Sequence, residues 1–220
     1  MPVGMSANVV GEIPGSGGAG EIVLLGAHLD SWDLGTGALD DGAGCTIAID
    51  VARLIAGLPV RPRRTVRVVL FANEENGARG GEAYAAAHAA EIPRHAAAIE
   101  ADSGAGRAFG FSWNAGAEAE PLLKEVAALL AGIGSGETRK RGDGGVDISP
   151  LRKTGVPLFG IYQDSSRYFD IHHSADDTFD KVDRDELQNA AAAAAVLAYA
   201  LADLPRLPPI AVPDRTPSPR

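Results

Sequence analysis

Runs of mostly apolar, β-branched residues end repeatedly in a histidine or a carboxylate, and they alternate with small-residue stretches long enough to be helices. The run Glu21 to Ala27 ends in His28-Leu29-Asp30, Thr65 to Ala72 ends in Asn73-Glu74-Glu75, and His95 to Ala101 ends in Asp102. Helix-length segments lie between them, near Gly42 to Gly57 and Gly81 to Ala90. A further run Arg107 to Trp113, a helix near Ala119 to Ala131, a strand Val156 to Tyr162 and a last helix near Arg184 to Leu204 continue the order. Strands joined through helices predict crossover connections and an α/β sheet. The segments VVLFA and PLFGIY are almost continuously apolar, as strands covered on both faces are. These features predict one three-layer α/β/α domain with a mixed, mostly parallel central sheet. Ahead of it, Asn8 to Ile13 and Glu21 to Ala27 flank a Gly/Ser/Pro cluster and predict a hairpin or meander at a sheet edge. Asp183, with Glu186 three residues on, has the spacing of a capping box for the last helix.

Composition narrows the function. Twenty basic residues against 29 acidic give a formal charge of -9, which argues against a chain that holds nucleic acid by neutralising phosphates. Cys45 has no second cysteine to pair with, and its place just inside the first crossover helix predicts a small buried residue rather than a nucleophile. The longest apolar run, Ala190 to Ala202, is mostly alanine and well short of the roughly 20 residues that cross a bilayer, so no membrane span is expected. Nothing in the first twenty residues reads as a signal peptide. The segment from 205 to 220 is proline-rich, lacks periodicity and predicts an extended tail.

In open α/β sheets ligands bind at the carboxyl ends of the strands. His28, Asp30, Glu74, Glu75 and Asp102 stand there, Asp40-Asp41 precede the first crossover helix, and His172-His173 follow the last strand through a loop. Taken singly, each has a local explanation as a helix cap, a turn residue or a surface group. Together they place several carboxylates in one cleft, where their mutual repulsion must be relieved by pairing or by a metal. Histidines with an excess of carboxylates suit zinc, and the excess suggests two cations sharing a bridging carboxylate.

The segments GAHLDSWDLGTGALDDGAG, FANEENGARGGEAY, IEADSG and YFDIHHSADDTFDKVD together resemble the dinuclear zinc exopeptidases of peptidase family M28, most closely its carboxypeptidase Q-like dipeptidases. The resemblance runs from about Asn8 to Leu204 and implies the zinc-peptidase fold over 1–204. By position, it implies that His28 and Asp102 hold one of two Zn2+ ions, Glu75 and His173 the other, and Asp40 bridges them. His173 is preferred to His172 because it directly precedes the Ser-Ala-Asp-Asp-Thr run. Asp30 matches the carboxylate that orients the His28 imidazole, and Asp41 matches part of the turn presenting Asp40, where family members carry a cis peptide. Glu74 matches the general base, a role that suits a carboxylate beside a ligand but free of coordination. Three ligand carboxylates and a hydroxide would balance two divalent cations.

The resemblance further implies that relatives carry more chain ahead of Asn8, including an initial part of the peptidase domain and an inserted protease-associated domain. It implies a peptide substrate, a secreted or periplasmic setting, and a homodimer as one candidate assembly. The segment GDGGVDISPLRKTGVPLFGIYQDSSRYFD resembles the pocket-forming region, with Asp147, Gln163 and Asp164 as candidates to hold a substrate terminus. Arg139, Lys140, Arg141 and Arg152 are available for a free carboxylate, although the first three also read as a solvated basic loop. The expected activity is hydrolysis of dipeptides or short peptides. The alternatives are an aminopeptidase acting on longer peptides and a non-catalytic receptor or interaction relative.

Overall fold

The structure is a computed structural model that describes residues 4–17, 20–140 and 144–207. Its centre is a seven-stranded sheet of β1 (Val9–Ile13), β2 (Ile22–His28), β3 (Thr65–Phe71), β4 (His95–Glu100), β5 (Ala108–Asn114), β6 (Glu137–Lys140) and β7 (Leu158–Gln163), ordered β1-β3-β2-β4-β7-β5-β6. The pairs β2/β3, β2/β4, β4/β7 and β5/β6 are parallel, while β1/β3 and β5/β7 are antiparallel. The sheet is mixed and mostly parallel, as the alternation predicts.

Helices α1 (Ala43–Ala56), α3 (Glu120–Leu129) and α6 (Arg184–Asp203) cover one face, α2 (Arg79–Ala87) and the short α4 (Ser149–Arg152) cover the other, and the one-turn α5 (Tyr168–Ile171) follows β7. The first face buries Val23, Leu25, Val66, Ile99, Phe111, Trp113 and Phe159 beneath α1, α3 and α6. On the second, Leu24, Val69, Phe71 and Leu158 meet Tyr84, Ile148 and Leu151. Successive strand residues therefore bury on opposite faces, the period of two that a doubly covered strand requires. Helix α6 is alanine-rich where it faces the sheet and α1, burying Ala190, Ala194, Leu197, Ala198 and Leu201. Alanine lets the backbones approach closely. Asp183 caps its start by accepting from the Asp185 and Glu186 N–H groups, and the Arg64 guanidinium closes its end on the Leu201 and Leu204 carbonyls.

The opening two strands are not a hairpin: β3 lies between β1 and β2. The Gly/Ser/Pro cluster does not turn back on itself but passes across the start of β3, where the Ser16 and Gly17 N–H groups donate to the Pro62 and Arg63 carbonyls at 2.8 Å. At Gly15 a Cβ would stand 2.5 Å from the Arg63 carbonyl oxygen, so this crossing needs glycine. β1 does form the sheet edge, and Ile13 is its buried residue. The expected tail falls, from residue 208 onward, outside the described residues, as does Arg141. Among the described residues no helix is long and apolar enough to cross a membrane.

Candidate active site

The strand ends β2, β3 and β4 lie side by side at the carboxyl edge of the sheet. His28 closes β2 fully buried, and its imidazole Nδ1 bonds the main-chain carbonyl of Asp30 at 2.9 Å. β3 ends in a turn at Asn73, whose φ of 62° is a left-handed value that asparagine tolerates. The Asp30 carboxylate fixes the turn by accepting from the Glu74 N–H at 2.9 Å and the Glu75 N–H at 3.2 Å. Asp30 thus differs from expectation. The bond to His28 comes from its carbonyl, while its carboxylate, 4.0 Å from the imidazole, holds the backbone of the Glu74-Glu75 pair.

Asp40 and Asp41 sit in a distorted turn, Ala38–Gly42, ahead of α1, and the peptide between them is cis, as the resemblance implies. The Asp41 carboxylate is wholly engaged by backbone, accepting from the His28 and Gly44 N–H groups at 3.0 Å each. A Cβ at Gly44 would lie 1.9 Å from the Ala101 carbonyl oxygen, so α1 can start this close to β4 only with glycine there.

Asp40 presents its two oxygens in opposite directions. Oδ1 lies 3.2 Å from His28 Nε2, which is also 3.6 Å from Asp102 Oδ1. Oδ2 lies 3.2 Å from His173 Nε2, which is 3.0 Å from Glu75 Oε2. Two imidazole–carboxylate triads therefore share one aspartate. Donor atoms in a tetrahedral zinc shell, with bonds near 2.0–2.1 Å, stand about 3.3–3.4 Å apart, and the observed spacings bracket that value. Donor atoms of His28, Asp40 and Glu75 fall within 4.8 Å of one another, and so do those of His28, Asp41 and Asp102. The second grouping is the weaker one for a cation, because both Asp41 oxygens already accept N–H groups.

The electrostatics describe a cluster short of positive charge. Burial raises the Glu74 carboxyl above its ordinary range, and the nearby Asp102, Glu75 and Asp40 charges push the same way against His28. Burial and Asp40 likewise raise Glu75. Burial works against His28, but hydrogen bonds to Asp102 and Asp40 outweigh it and hold the imidazole strongly protonated. Burial also opposes ionisation of Asp40, yet His28 keeps it below its usual range. A divalent cation would satisfy all of these groups at once.

The other expected residues divide. Gln163 lines a cleft of about 510 Å³ that opens on Asp102 and Tyr168, with Nε2 donating to the Gly104 and Gly106 carbonyls. Asp147 is buried beside the site and pushed up to about 7 by burial and by Glu74 and Asp102, against His28. Asp164 is exposed and caps the Ser166 N–H at 2.9 Å, so the structure leaves it out of that cleft. His172 packs at a tilt against Tyr168 and edge-on against Phe169, while the next residue, His173, reaches Asp40 and Glu75. Cys45 is half-buried, donates to the His28 carbonyl, and is pushed up to about 12 by burial and Asp41.

Four residues were not singled out in the sequence. Asp177 is buried and accepts from the Leu39 N–H at 2.7 Å and the Asp40 N–H at 3.1 Å, clamping the shared aspartate from behind. Glu100, wholly buried beneath Asp102, accepts from the Asp147 and Ile148 N–H groups and is pushed up to about 8 by burial, Asp147 and Asp102. The Trp32 indole donates to Glu75 Oε2 at 2.7 Å. Tyr168 reaches Asp40, and burial with the Asp102 and Asp40 charges keeps its phenol neutral. All four lie within the quoted motifs, Trp32 in GAHLDSWDLGTGALDDGAG, Glu100 in IEADSG, and Tyr168 and Asp177 in YFDIHHSADDTFDKVD, and that placement was the available signal.

Residues 8–198 match the family model described as peptidase family M28. The chain is 39% identical to carboxypeptidase Q of Mus musculus over 204 residues, covering 93% of this chain and 43% of that protein, and 36% identical to the Homo sapiens protein over the same shares. It therefore spans less than half the length of these relatives. Among solved structures, a peptidase M28 precursor from Shewanella amazonensis superposes with a TM-score of 0.88 at 42% identity, over 93% of this chain and 46% of that one. A zinc aminopeptidase from Bacillus subtilis, at 21% identity and a TM-score of 0.73 over 90% of this chain and 50% of that one, shares the fold. With the strand-end histidines and carboxylates gathered around one shared aspartate, and with these matches covering nearly its whole length, the chain belongs to peptidase family M28.

Proposed function

We propose that this chain carries the catalytic centre of a two-zinc exopeptidase that hydrolyses dipeptides or short peptides. The observation that carries the reading is Asp40, whose two oxygens each face a separate imidazole–carboxylate pair. His28, Asp102 and Asp40 would hold one Zn2+, and His173, Glu75 and Asp40 the other. When bound, the cations supply Lewis acidity, polarising the scissile carbonyl and lowering the pKa of a water molecule toward neutrality.

The chain's own residues do the rest. Glu74 adjoins a ligand, yet no short contact ties it into either triad, and its raised proton affinity suits it to take a proton from the attacking water and deliver it to the leaving amine. Asp30 fixes where that base stands by holding the Glu74 and Glu75 N–H groups. Asp177 sets the backbone of Asp40, and the Trp32 indole orients Glu75. The Tyr168 phenol, kept neutral, is a hydrogen-bond donor at the mouth of the cleft. The names of the Mus musculus and Homo sapiens relatives, carboxypeptidase Q, support a peptide substrate.

The test compares wild type with Glu74→Gln, by elemental analysis and dipeptide hydrolysis. The expected result is about two zinc ions per chain in both proteins, with kcat about 10²- to 10⁴-fold lower in the variant. Full activity without metal, or loss of zinc in Glu74→Gln, would overturn the roles assigned.

A further inference from the structure

Helix α6 is apolar almost all round from Ala190 to Ala202, the pattern of a helix with neighbours on every side. Among the described residues it has them on three sides. Its inner positions Ala190, Ala194, Leu197, Ala198 and Leu201 are buried toward the sheet, with α1 along one flank and α3 along the other. Ala195, Val196, Tyr199 and Ala200, spaced as one helix face, instead form the bed of an open groove of about 1010 Å³. Taller side chains wall it: Leu58 and Val60 just past α1, and Leu122 and Leu129 on α3. Val60 is 68% exposed and Leu129 72%, so the walls are as bare as the bed. An apolar surface of this extent marks a place where something docks.

A second copy fills this groove poorly. Two copies related by a two-fold axis bring the same surface face to face, so the walls would meet while the beds over α6 stayed empty. The chain itself leads into the groove. Leu204 and Pro205 line it, and Leu207 packs on the core of this face in a small cleft shared with Leu122, so residue 208 begins on the α3 side. The next six residues, Pro208-Pro209-Ile210-Ala211-Val212-Pro213, are all apolar, and charge resumes with Asp214-Arg215. Crossing α6 from α3 to α1 spans two interhelical distances of about 8–10 Å each, roughly 16–20 Å in all. Six residues in polyproline geometry, at about 3.1 Å each, reach about 19 Å. The apolar stretch therefore matches the width of the groove. Extended backbone laid on an apolar surface buries N–H groups without partners, and Pro208, Pro209 and Pro213 have none to bury.

We propose that the α1–α6–α3 groove is an intramolecular docking surface for residues 208–213 of this chain, which cross it from α3 to α1 as an extended, polyproline-like strap. Ile210 and Val212 supply the side chains that settle on the small-residue bed, and Tyr199 offers the aromatic surface that proline-rich segments favour. The strap completes the burial that the all-apolar sequence of α6 requires. It is independent of the peptidase reading.

The experiment compares the intact chain with a chain ended after Leu207 and with the double substitution Ile210→Asp, Val212→Asp. Both changes uncover the groove, so both variants are expected to bind an apolar fluorescent dye several-fold more strongly than the intact chain, and to unfold at a lower denaturant midpoint. Ser218→Asp, beyond the apolar stretch, is expected to match the intact chain in both readouts. In an otherwise intact chain, a benzoylphenyl photoprobe at position 210 is expected to label residues 54–60 or 195–205 of its own molecule, at a yield independent of protein concentration. That labelling decides the matter if the shortened chain fails to fold. Unchanged dye binding and midpoint in both variants overturns the proposal, and so does labelling elsewhere in the chain. Labelling between molecules that rises with concentration gives the groove to a second copy and overturns it as well. None of these readouts involves zinc or hydrolysis, so the result stands whatever becomes of the peptidase reading.

Discussion

β3 serves two acidic clusters at once. Within the strand, Arg67 gathers Glu12 from β1 at 2.6 Å and Glu91 from beyond α2 at 2.8 Å, and also donates to the Tyr84 hydroxyl, which meets His95. Just past the end of the same strand, Glu74 and Glu75 join Asp40, Asp41 and Asp102 around His28. In the first cluster hydrogen bonds from Arg67 and His88 pull Glu91 down to about 2. In the second, burial and neighbouring carboxylates raise Glu74, Glu75 and Asp41. Glu91 and the raised carboxylates sit in opposite protonation regimes because Arg67 and its neighbours neutralise the first cluster, whereas the buried His28 imidazolium offsets only part of the negative charge of the second. Acidity alone is therefore a poor sign of a metal centre; acidity that the fold leaves unneutralised is a much better one.

The sharpest way to break this contrast is to supply or remove zinc. At a free zinc concentration a hundredfold above Kd, binding to the folded state adds about 2.7 kcal/mol. For a domain of this size that is about 5–10 °C in Tm, read against a chelated sample. A melting curve indifferent to zinc would place both clusters in the same class. The next largest effect is expected from Arg67→Met, which takes the cation from Glu12 and leaves Glu91 with only its Arg94 and His88 contacts. Because Glu12 and Glu91 are 41% and 32% exposed, they can turn to water, and the expected loss is about 2 kcal/mol rather than the 3–5 of a fully buried pair. The denaturant midpoint measures it, and zinc stoichiometry should not change.

Asp177→Ala sharpens the comparison from the other side. It strips the acceptor from two buried N–H groups behind Asp40, for about 1–3 kcal/mol of stability, and is expected to weaken zinc binding at least about 10-fold. Asp177→Asn keeps one acceptor oxygen and should lose less on both counts; equal losses would mean that the charge, not the bond, matters. The smallest effect is a difference in pH response in metal-stripped protein. Glu91, depressed from 4.5 to about 2, contributes stability that is present above pH 4.5 and is lost as pH falls toward 2. Glu100 and Asp147, raised to about 8 and about 7, act with the opposite sign, since the folded chain binds more protons than the unfolded one from pH 8 down to their ordinary values. Tm of the stripped protein should therefore rise as pH is lowered from 8 to 5. A Tm that falls over that interval would contradict the assignment.

What was legible in the sequence follows from how local each signal is. Strands β2, β3, β4 and β7 announce themselves because both faces are buried, and their polar termini mark the carboxyl edge without any knowledge of pairing. The order of the strands was less accessible. Nothing in the residues flanking the Gly/Ser/Pro cluster says that β3 will be inserted between β1 and β2. β6, with the sequence ETRK, is a short, polar, largely exposed edge strand and has no apolar alternation to read. Within the site, the residues at strand ends could be named, but their supports could not. Asp177, Glu100 and Trp32 act on segments far from them in the chain, and Asp30 acts through a carbonyl as well as its side chain. Asp164 was misleading for a related reason: it lies next to a cleft residue, but alternation turns it outward to cap its own turn.

The Asp177 clamp also has a bearing on synthesis. The shared carboxylate is held by an acceptor 137 residues further along the chain, and the second imidazole comes from the same late segment. A nascent polypeptide emerging from its N-terminal end would display His28, Asp40, Glu75 and Asp102 well before anything exists to complete the site. The divalent ion then has no finished cage to enter until the segment carrying His173 and Asp177 has been synthesised, and contacts this distant are slow to form. The order of translation therefore bounds the assembly of the site, which cannot be complete before His173 and Asp177 have been made.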